Sequence, residues 1–276
     1  MKYTKIFSLF VLLLAFGFAG CKAAEEDPKS GSAAKAKQDH ARQQGKQVAQ
    51  AAMNGDQEAV QQALEQEQVW PPPVKDEDNL QVADDLLTRN YVILLDSSGS
   101  MNESECSGDT NKAEAAKTAL RHFVGNIPAE DNVGLIIFPA GVQEELATNN
   151  RESLMNKVDN MSPRDGTPLT WAVQEGYKML TAQAQRQLGY GEYTLVILTD
   201  GRAQNERTLA MEIEAIVGTP KIAINLYTIG FCISGQHTLR TEGVDYNEAH
   251  NPEDLTAALA GVLAEAPDFS VIDFEQ

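Results

Sequence analysis

Tyr91-Val92-Ile93-Leu94-Leu95-Asp96-Ser97-Ser98-Gly99-Ser100-Met101 decides the fold. An apolar run of five residues ends in a carboxylate and three hydroxyl side chains. A run of that length reads as a strand buried on both faces. Open parallel sheets hold their ligands beyond the carboxyl ends of such strands. Asp96, Ser98 and Ser100 stand two apart, so in an extended segment they point the same way. One carboxylate and two hydroxyls would then converge, a hard-oxygen donor set suited to Mg²⁺ or another hard divalent ion. The competing reading is a turn, because Asp, Ser and Gly populate turns for local hydrogen-bonding reasons.

On the carboxyl side of this stretch strands and helices alternate. Helical spacing covers residues 112–124 through Ala116, Leu120 and Phe123. Residues 133–138 form a second buried strand, and 142–147 a short edge strand. Helices follow over 152–161 and 168–181, the latter with Leu169, Val173 and Leu180 on its inner side. Residues 193–199 are a third long strand, 209–217 a helix, 222–229 a fourth long strand and 254–264 a closing helix. The alternation predicts an α/β fold, a mostly parallel sheet with helices on both faces. In the tail, residues 266–276, Phe269, Val271, Ile272 and Phe274 leave packing and edge pairing both open.

Two further segments end in oxygen side chains at what should be the same edge. Gly166-Thr167-Pro168-Leu169 precedes a helix, and Thr167 could be its N-cap with Pro168 at the first helical position. Leu198-Thr199-Asp200-Gly201 ends a buried strand in a carboxylate, and Asp200-Gly201 could be a turn. Together with Asp96, Ser98 and Ser100 they favour a site over three unrelated turns.

These motifs resemble the von Willebrand factor type A domain. The family's signature is Asp-x-Ser-x-Ser, then a Thr, then an Asp, forming a metal-ion-dependent adhesion site. Asp96, Ser98, Ser100, Thr167 and Asp200 match it in order and in flanking residues. The resemblance covers residues 88–265 and implies a doubly wound sheet with one antiparallel edge strand. It also implies Mg²⁺ (or Mn²⁺) held by Ser98, Ser100 and Thr167, with Asp96 and Asp200 acting through bound waters or exchanging into direct contact. Hydroxyls are neutral donors, so an ion held by them stays electron-poor and keeps a position for a carboxylate from a partner protein. Cys106 follows the first strand and Cys232 the fourth long strand, both at the metal end of the sheet. In an exported protein they are expected to form a disulfide framing the site, with two free thiols as the alternative.

Composition narrows the remaining classes. The 276-residue chain carries a formal net charge of −18, which repels a phosphate polymer and disfavours nucleic-acid binding. Its three cysteines exclude a multi-cysteine zinc site, and its four histidines show no ligand spacing. No His accompanies a Ser or Cys in a recognisable nucleophile motif, and there is no Gly-rich phosphate loop, so no enzyme activity is expected.

The N-terminal part reads as attachment. Lys2 and Lys5 precede an apolar run ending in Ala19-Gly20-Cys21, the layout of a bacterial export signal over residues 1–20. Small residues directly before Cys21 resemble the bacterial lipoprotein processing box, with Phe18 where that box usually has Leu. The resemblance implies lipidation of Cys21, and Lys22 in place of Asp leans towards the outer membrane, the domain lying in the periplasm or at the cell surface. An ordinary secretion signal is the alternative. Residues 21–32 form a tether. Residues 33–70 form an Ala- and Gln-rich helical hairpin, either a spacer or a pad docked on the main domain. Residues 71–87 form a Pro-rich, acidic linker.

Three functions are therefore expected in order: a lipid-anchored module that engages a partner protein through the metal, an adaptor subunit of a cell-envelope complex, and a metal-assisted hydrolase.

Overall fold

The computed structural model describes residues 70–72, 81–218, 222–233, 235 and 237–264. Its strands are β1 (Arg89–Asp96), β2 (Asn132–Phe138), β3 (Val142–Ala147), β4 (Glu192–Thr199), β5 (Ile224–Phe231) and β6 (Asp245–Ala249). Their spatial order is β3-β2-β1-β4-β5-β6, with β3 antiparallel to β2 and every other pairing parallel. The helices are α1 (Lys112–Asn126), α2 (Arg151–Asp159), α3 (Leu169–Arg186), α4 (Glu206–Val217) and α5 (Pro252–Ala264). The mostly parallel α/β sheet expected from the alternation is the one observed.

The period of two along each strand sorts the core. Tyr91, Ile93 and Leu95 of β1 pack with Leu120 and Phe123 of α1, Leu154 of α2 and Leu259 of α5. Val92 and Leu94 pack on the opposite face with Leu169 and Val173 of α3 and Ile213 of α4. A strand covered on both faces has no polar side to alternate with, which is why its sequence is a continuous apolar run. Each fully buried Leu or Ile contributes on the order of 2 kcal/mol from the area it removes from water. Gly176 lets α3 approach closely: a β-carbon there would meet Leu195 Cδ1 at 2.6 Å.

The order of the strands places the site. The chain leaves β1 towards β2 on one side, whereas β4 lies on the other, so the connections diverge between β1 and β4. That divergence opens a crevice beyond the carboxyl ends of the two strands, the usual ligand position in open α/β sheets.

Several elements differ from expectation. β6 has no counterpart in the sequence reading, because its sequence, Asp-Tyr-Asn-Glu-Ala, has no apolar alternation and pairs only as an edge. α3 runs on to Arg186, past the expected end at residue 181, because Gln183 and Ala184 are also buried against the sheet. β5 is shifted towards Phe231 relative to the expected 222–229.

The packed body also begins before residue 88. Trp70 is buried and stands edge-on to Tyr193, ring centroids 5.0 Å apart. Gln185 Nε2 donates to the Pro72 carbonyl at 2.8 Å, and Ala83 N donates to the Arg186 carbonyl at 2.9 Å. Part of the expected linker is thus bound to the domain. The expected signal peptide, Cys21, tether, hairpin (apart from Trp70) and tail lie outside the described residues. Among the described residues no helix is long and apolar enough to cross a membrane.

Candidate metal centre

β1 delivers Asp96 at its last position, fully buried. Its carboxylate is already held: Oδ1 accepts from Ser98 N at 2.7 Å, and Oδ2 accepts from the Thr199 hydroxyl at 2.6 Å. Register makes the second contact possible, since Leu95 pairs with Leu198 and the next residues are Asp96 and Thr199. Burial pushes the Asp96 carboxyl up to about 6, against the lowering effect of the Thr199 and Ser98 hydrogen bonds; the Asp200 charge adds to the rise.

The chain does not stay extended through Ser100. Ser98 is extended, and a 3-10 turn over Gly99–Asn102 follows, closed by Met101 N donating to the Ser98 carbonyl at 3.0 Å. This turn, not strand alternation, brings Ser98 Oγ and Ser100 Oγ to 3.1 Å. Met101, fully buried, anchors the turn in the core. Ser97 points elsewhere, its hydroxyl donating to the Phe138 carbonyl at 2.9 Å.

The second loop is clamped to the first. Arg164 N donates to the Ser97 carbonyl at 2.8 Å, and Gly99 N donates to the Asp165 carbonyl at 3.0 Å. Thr167 therefore arrives beside the 3-10 turn. It is not the N-cap of α3: Pro168 holds that position and no side chain caps the helix. The Thr167 carbonyl instead accepts from Leu169 N and from Gln204 N of the third loop, at 2.8 and 3.1 Å.

β4 delivers the third segment. Asp200 Oδ1 accepts from the Ser100 hydroxyl at 2.8 Å. A β-carbon on Gly201 would lie 3.6 Å from Thr167 Oγ1 and 3.9 Å from Ser100 Oγ, so the three loops meet around this glycine. The structure thus brings Asp96, Ser98, Ser100, Thr167 and Asp200 together at the carboxyl ends of β1 and β4. Cys106 and Cys232 are disulfide-bonded with a Cα–Cα distance of 5.7 Å, and Cys232 N donates to the Ala249 carbonyl at 2.8 Å. The bond ties the loop before α1 to the ends of β5 and β6.

Several participants were missed in the sequence. Thr199 was quoted in its motif without a role, yet it fixes Asp96. Lys112 Nζ lies 2.9 Å from Asp200 Oδ2 and 3.2 Å from Glu103 Oε2. Burial works to lower its pKa, but the bonds and charges of Asp200 and Glu103 outweigh that and the net shift is upward, so the ammonium stays charged. A lysine opening a helix was the one available signal, since that end normally favours acids. His237 Nε2 lies 2.9 Å from the Gly201 carbonyl, while Nδ1 accepts from Leu239 N, so Nε2 is the donor and holds the turn after Asp200.

The donors are all oxygens: three hydroxyls and two carboxylates. Among the described residues no three His, Cys, Asp or Glu side chains cluster as a metal site, and this set has only two such groups. Its hardness, burial and the destabilised charge of Asp96 fit a hard divalent cation and do not fit a soft or nitrogen-seeking one. A cavity of about 720 Å³ lies apart, between α2 and the β2–β3 turn, and none of the five residues lines it.

The profile described as the von Willebrand factor type A domain matches residues 91–202. No curated protein matches the chain. A von Willebrand factor type A structure from Catenulispora acidiphila is 17% identical with a TM-score of 0.51, covering 64% of this chain and 42% of that one. The chain thus spans less than half of that protein. The SpRpn10 VWA domain is 13% identical with a TM-score of 0.51, covering 67% of this chain and 100% of that one. An aerotolerance-related membrane protein from Bacteroides fragilis is 17% identical with a TM-score of 0.47, covering 63% of this chain and 96% of that one. At such identities the two likenesses with a TM-score of 0.51 speak to the fold alone. Over residues 91–202 this chain matches the von Willebrand factor type A profile, and those residues lie in a six-stranded, mostly parallel α/β sheet of the same kind of fold.

Proposed function

We propose that this domain binds a partner protein through a divalent cation, Mg²⁺ or Mn²⁺, that accepts an Asp or Glu side chain from the partner. The observation that carries the reading is the convergence of Ser98, Ser100 and Asp200, hydroxyl to hydroxyl at 3.1 Å and hydroxyl to carboxylate at 2.8 Å. Ser98, Ser100 and Thr167 would hold the ion directly. A bound ion of this kind supplies a Lewis-acidic position for an outside carboxylate. Asp96, tied by Thr199 and the Ser98 amide, offsets the ion's charge from a fixed place. Asp200, tied by Ser100 and Lys112, does the same from the other side. Because both carboxylates are already hydrogen-bonded, they offset part of the charge without having to fill every position around it.

The reading extends to attachment: a lipid on Cys21 would anchor the chain in a bacterial envelope, outer membrane favoured. The sequence before Cys21 supports this. Trp70 packs at the amino ends of the strands, against Tyr193, whereas Asp96 and Asp200 lie at the carboxyl ends. An eight-residue strand such as β4 is about 26 Å long at about 3.3 Å per residue. The described chain thus enters the domain at the end of the sheet opposite the proposed metal edge.

The test is direct. Cation uptake is measured by titration calorimetry with Mg²⁺ and Mn²⁺, and envelope proteins are captured on the immobilised domain with Mg²⁺ or with chelator. Uptake together with Mg²⁺-dependent capture is expected. Absence of uptake, or capture that is indifferent to chelator, refutes the reading.

A further inference from the structure

Lys112 occupies a place that helix electrostatics disfavours. It is the first residue of α1, where unpaired backbone N–H groups give the helix end a partial positive charge. It is nonetheless only 3% exposed. An ammonium taken out of water persists when paired, because desolvation is otherwise uncompensated. Its partner is the carboxylate whose other oxygen faces the hydroxyl cluster: Asp200 Oδ2 takes Lys112 at 2.9 Å, and Oδ1 takes Ser100 at 2.8 Å. Half of Asp200 is thus consumed by a cation belonging to the protein itself.

We propose that Lys112 sets the charge of the metal cage, loosening its grip on the divalent ion and leaving the loaded cage short of negative charge for an outside carboxylate. This rests on the metal-bridged reading above. Asp96 and Asp200 bring two negative charges and Lys112 one positive, so the side chains present a net −1 rather than −2 to a divalent ion. Glu103, the other partner of Lys112, has a side chain 63% exposed, and water screens its charge. With Lys112 in place the loaded cage keeps a positive charge for the partner's carboxylate to neutralise. Without it the cage is balanced, and an incoming carboxylate loses most of its attraction. Lys112 does not touch the partner; it is a positioning residue acting through Asp200.

The experiment uses the purified full chain as parent, Lys112→Met and Lys112→Gln. Met removes both charge and hydrogen bond; Gln keeps a donor for Asp200 and removes only the charge. Mn²⁺ affinity is read by calorimetry, and acetate binding to the Mn²⁺-loaded protein by the relaxation rate of water protons. Both variants are expected to bind Mn²⁺ about tenfold tighter and to need about tenfold more acetate, from removal of one nearby charge in a partly buried site. Structural damage would weaken both affinities, so the opposite signs distinguish regulation from disruption. Unchanged or weaker Mn²⁺ binding in both variants, with the parent binding normally, overturns the role of Lys112 and leaves the metal reading standing. No uptake by the parent or by either variant overturns both. Loss of the folded circular-dichroism signature by both variants in chelator also overturns it, because Lys112 would then be a requirement of the fold.

Discussion

The two ends of the sheet solve the same problem in opposite ways. At the amino ends, the side-chain amides of Asn90, Asn132 and Gln187 bond to one another and to backbone carbonyls, beside a buried Asp131 carboxylate that Arg89 pairs at 2.9 Å. Asn90 Nδ2 donates to Gln187 Oε1 at 2.8 Å, to the Glu192 carbonyl at 2.9 Å and to the Thr88 carbonyl at 2.8 Å, while its Oδ1 accepts from Asn132 at 2.9 Å. Gln187 Nε2 in turn donates to the Thr88 carbonyl at 2.9 Å. This is a network of neutral amides. At the carboxyl ends the groups are charged or hydroxylic, and two carboxylates are buried within one loop cluster. A neutral network with its partners satisfied fixes a structure, whereas a cluster of oxygens with surplus negative charge invites a cation.

The sharpest way to break that contrast is at the charged end. Asp96→Ala or Ser98→Ala should reduce metal-dependent partner binding by about 100-fold or more, because each removes a group from around a single ion. The same proteins should keep the parent's far-ultraviolet circular dichroism. Capture in Mg²⁺ equal to that of the parent would count against the assignment.

At the other end the effect should fall on stability alone. Trp70→Ala should lower the unfolding free energy by about 3 kcal/mol, the usual cost of emptying a buried aromatic site. Mn²⁺ affinity should not move. Denaturant melts paired with calorimetry would show it, and a matched loss of metal binding would mean that the two ends are coupled.

Acidity gives a third contrast. Folding raises the Asp96 carboxyl from 3.8 to about 6, so between those values the folded protein binds more protons than the unfolded chain. Stability in chelator should therefore fall as pH rises from about 4 to about 6 and level off above, by up to roughly 3 kcal/mol. Saturating Mg²⁺ should flatten the decline, since the cation offsets the same charge. A flat profile in chelator would show that the buried carboxylate is solvated. Burial also raises the Asp131 carboxyl at the amino ends, which adds to the decline with the same sign.

The smallest effect is expected from Asn90→Ala, about 2 kcal/mol, because Gln187 and Asn132 each lose a partner. Thermal melts in chelator would measure it. A change below about 0.5 kcal/mol would mean that water replaces the amide.

Much of this was readable before the structure. The run ending in Asp96 and that ending in Thr199 are neighbouring strands, and both end at the site. The five oxygen residues were named together because three oxygen-bearing segments were expected at one edge of the sheet and matched a family pattern. The reason offered for Ser98 and Ser100 was mistaken, since a 3-10 turn converges them rather than an extended chain. β6 escaped because an edge strand with few apolar residues has no periodicity to detect. Trp70 escaped because a tryptophan before a proline run looks the same whether it is docked or free.

The sequence by itself determined which segments other than β6 become strands and helices, and which side chains stand where β1 and β4 end, because those properties follow from each segment's own apolar spacing. Only the tertiary structure decided that Lys112 neutralises Asp200, that Thr199 pins Asp96 and that Gln204 and His237 brace the neighbouring turns. Those contacts join residues far apart in the chain, and their distances depend on strand order and register, which no local pattern encodes.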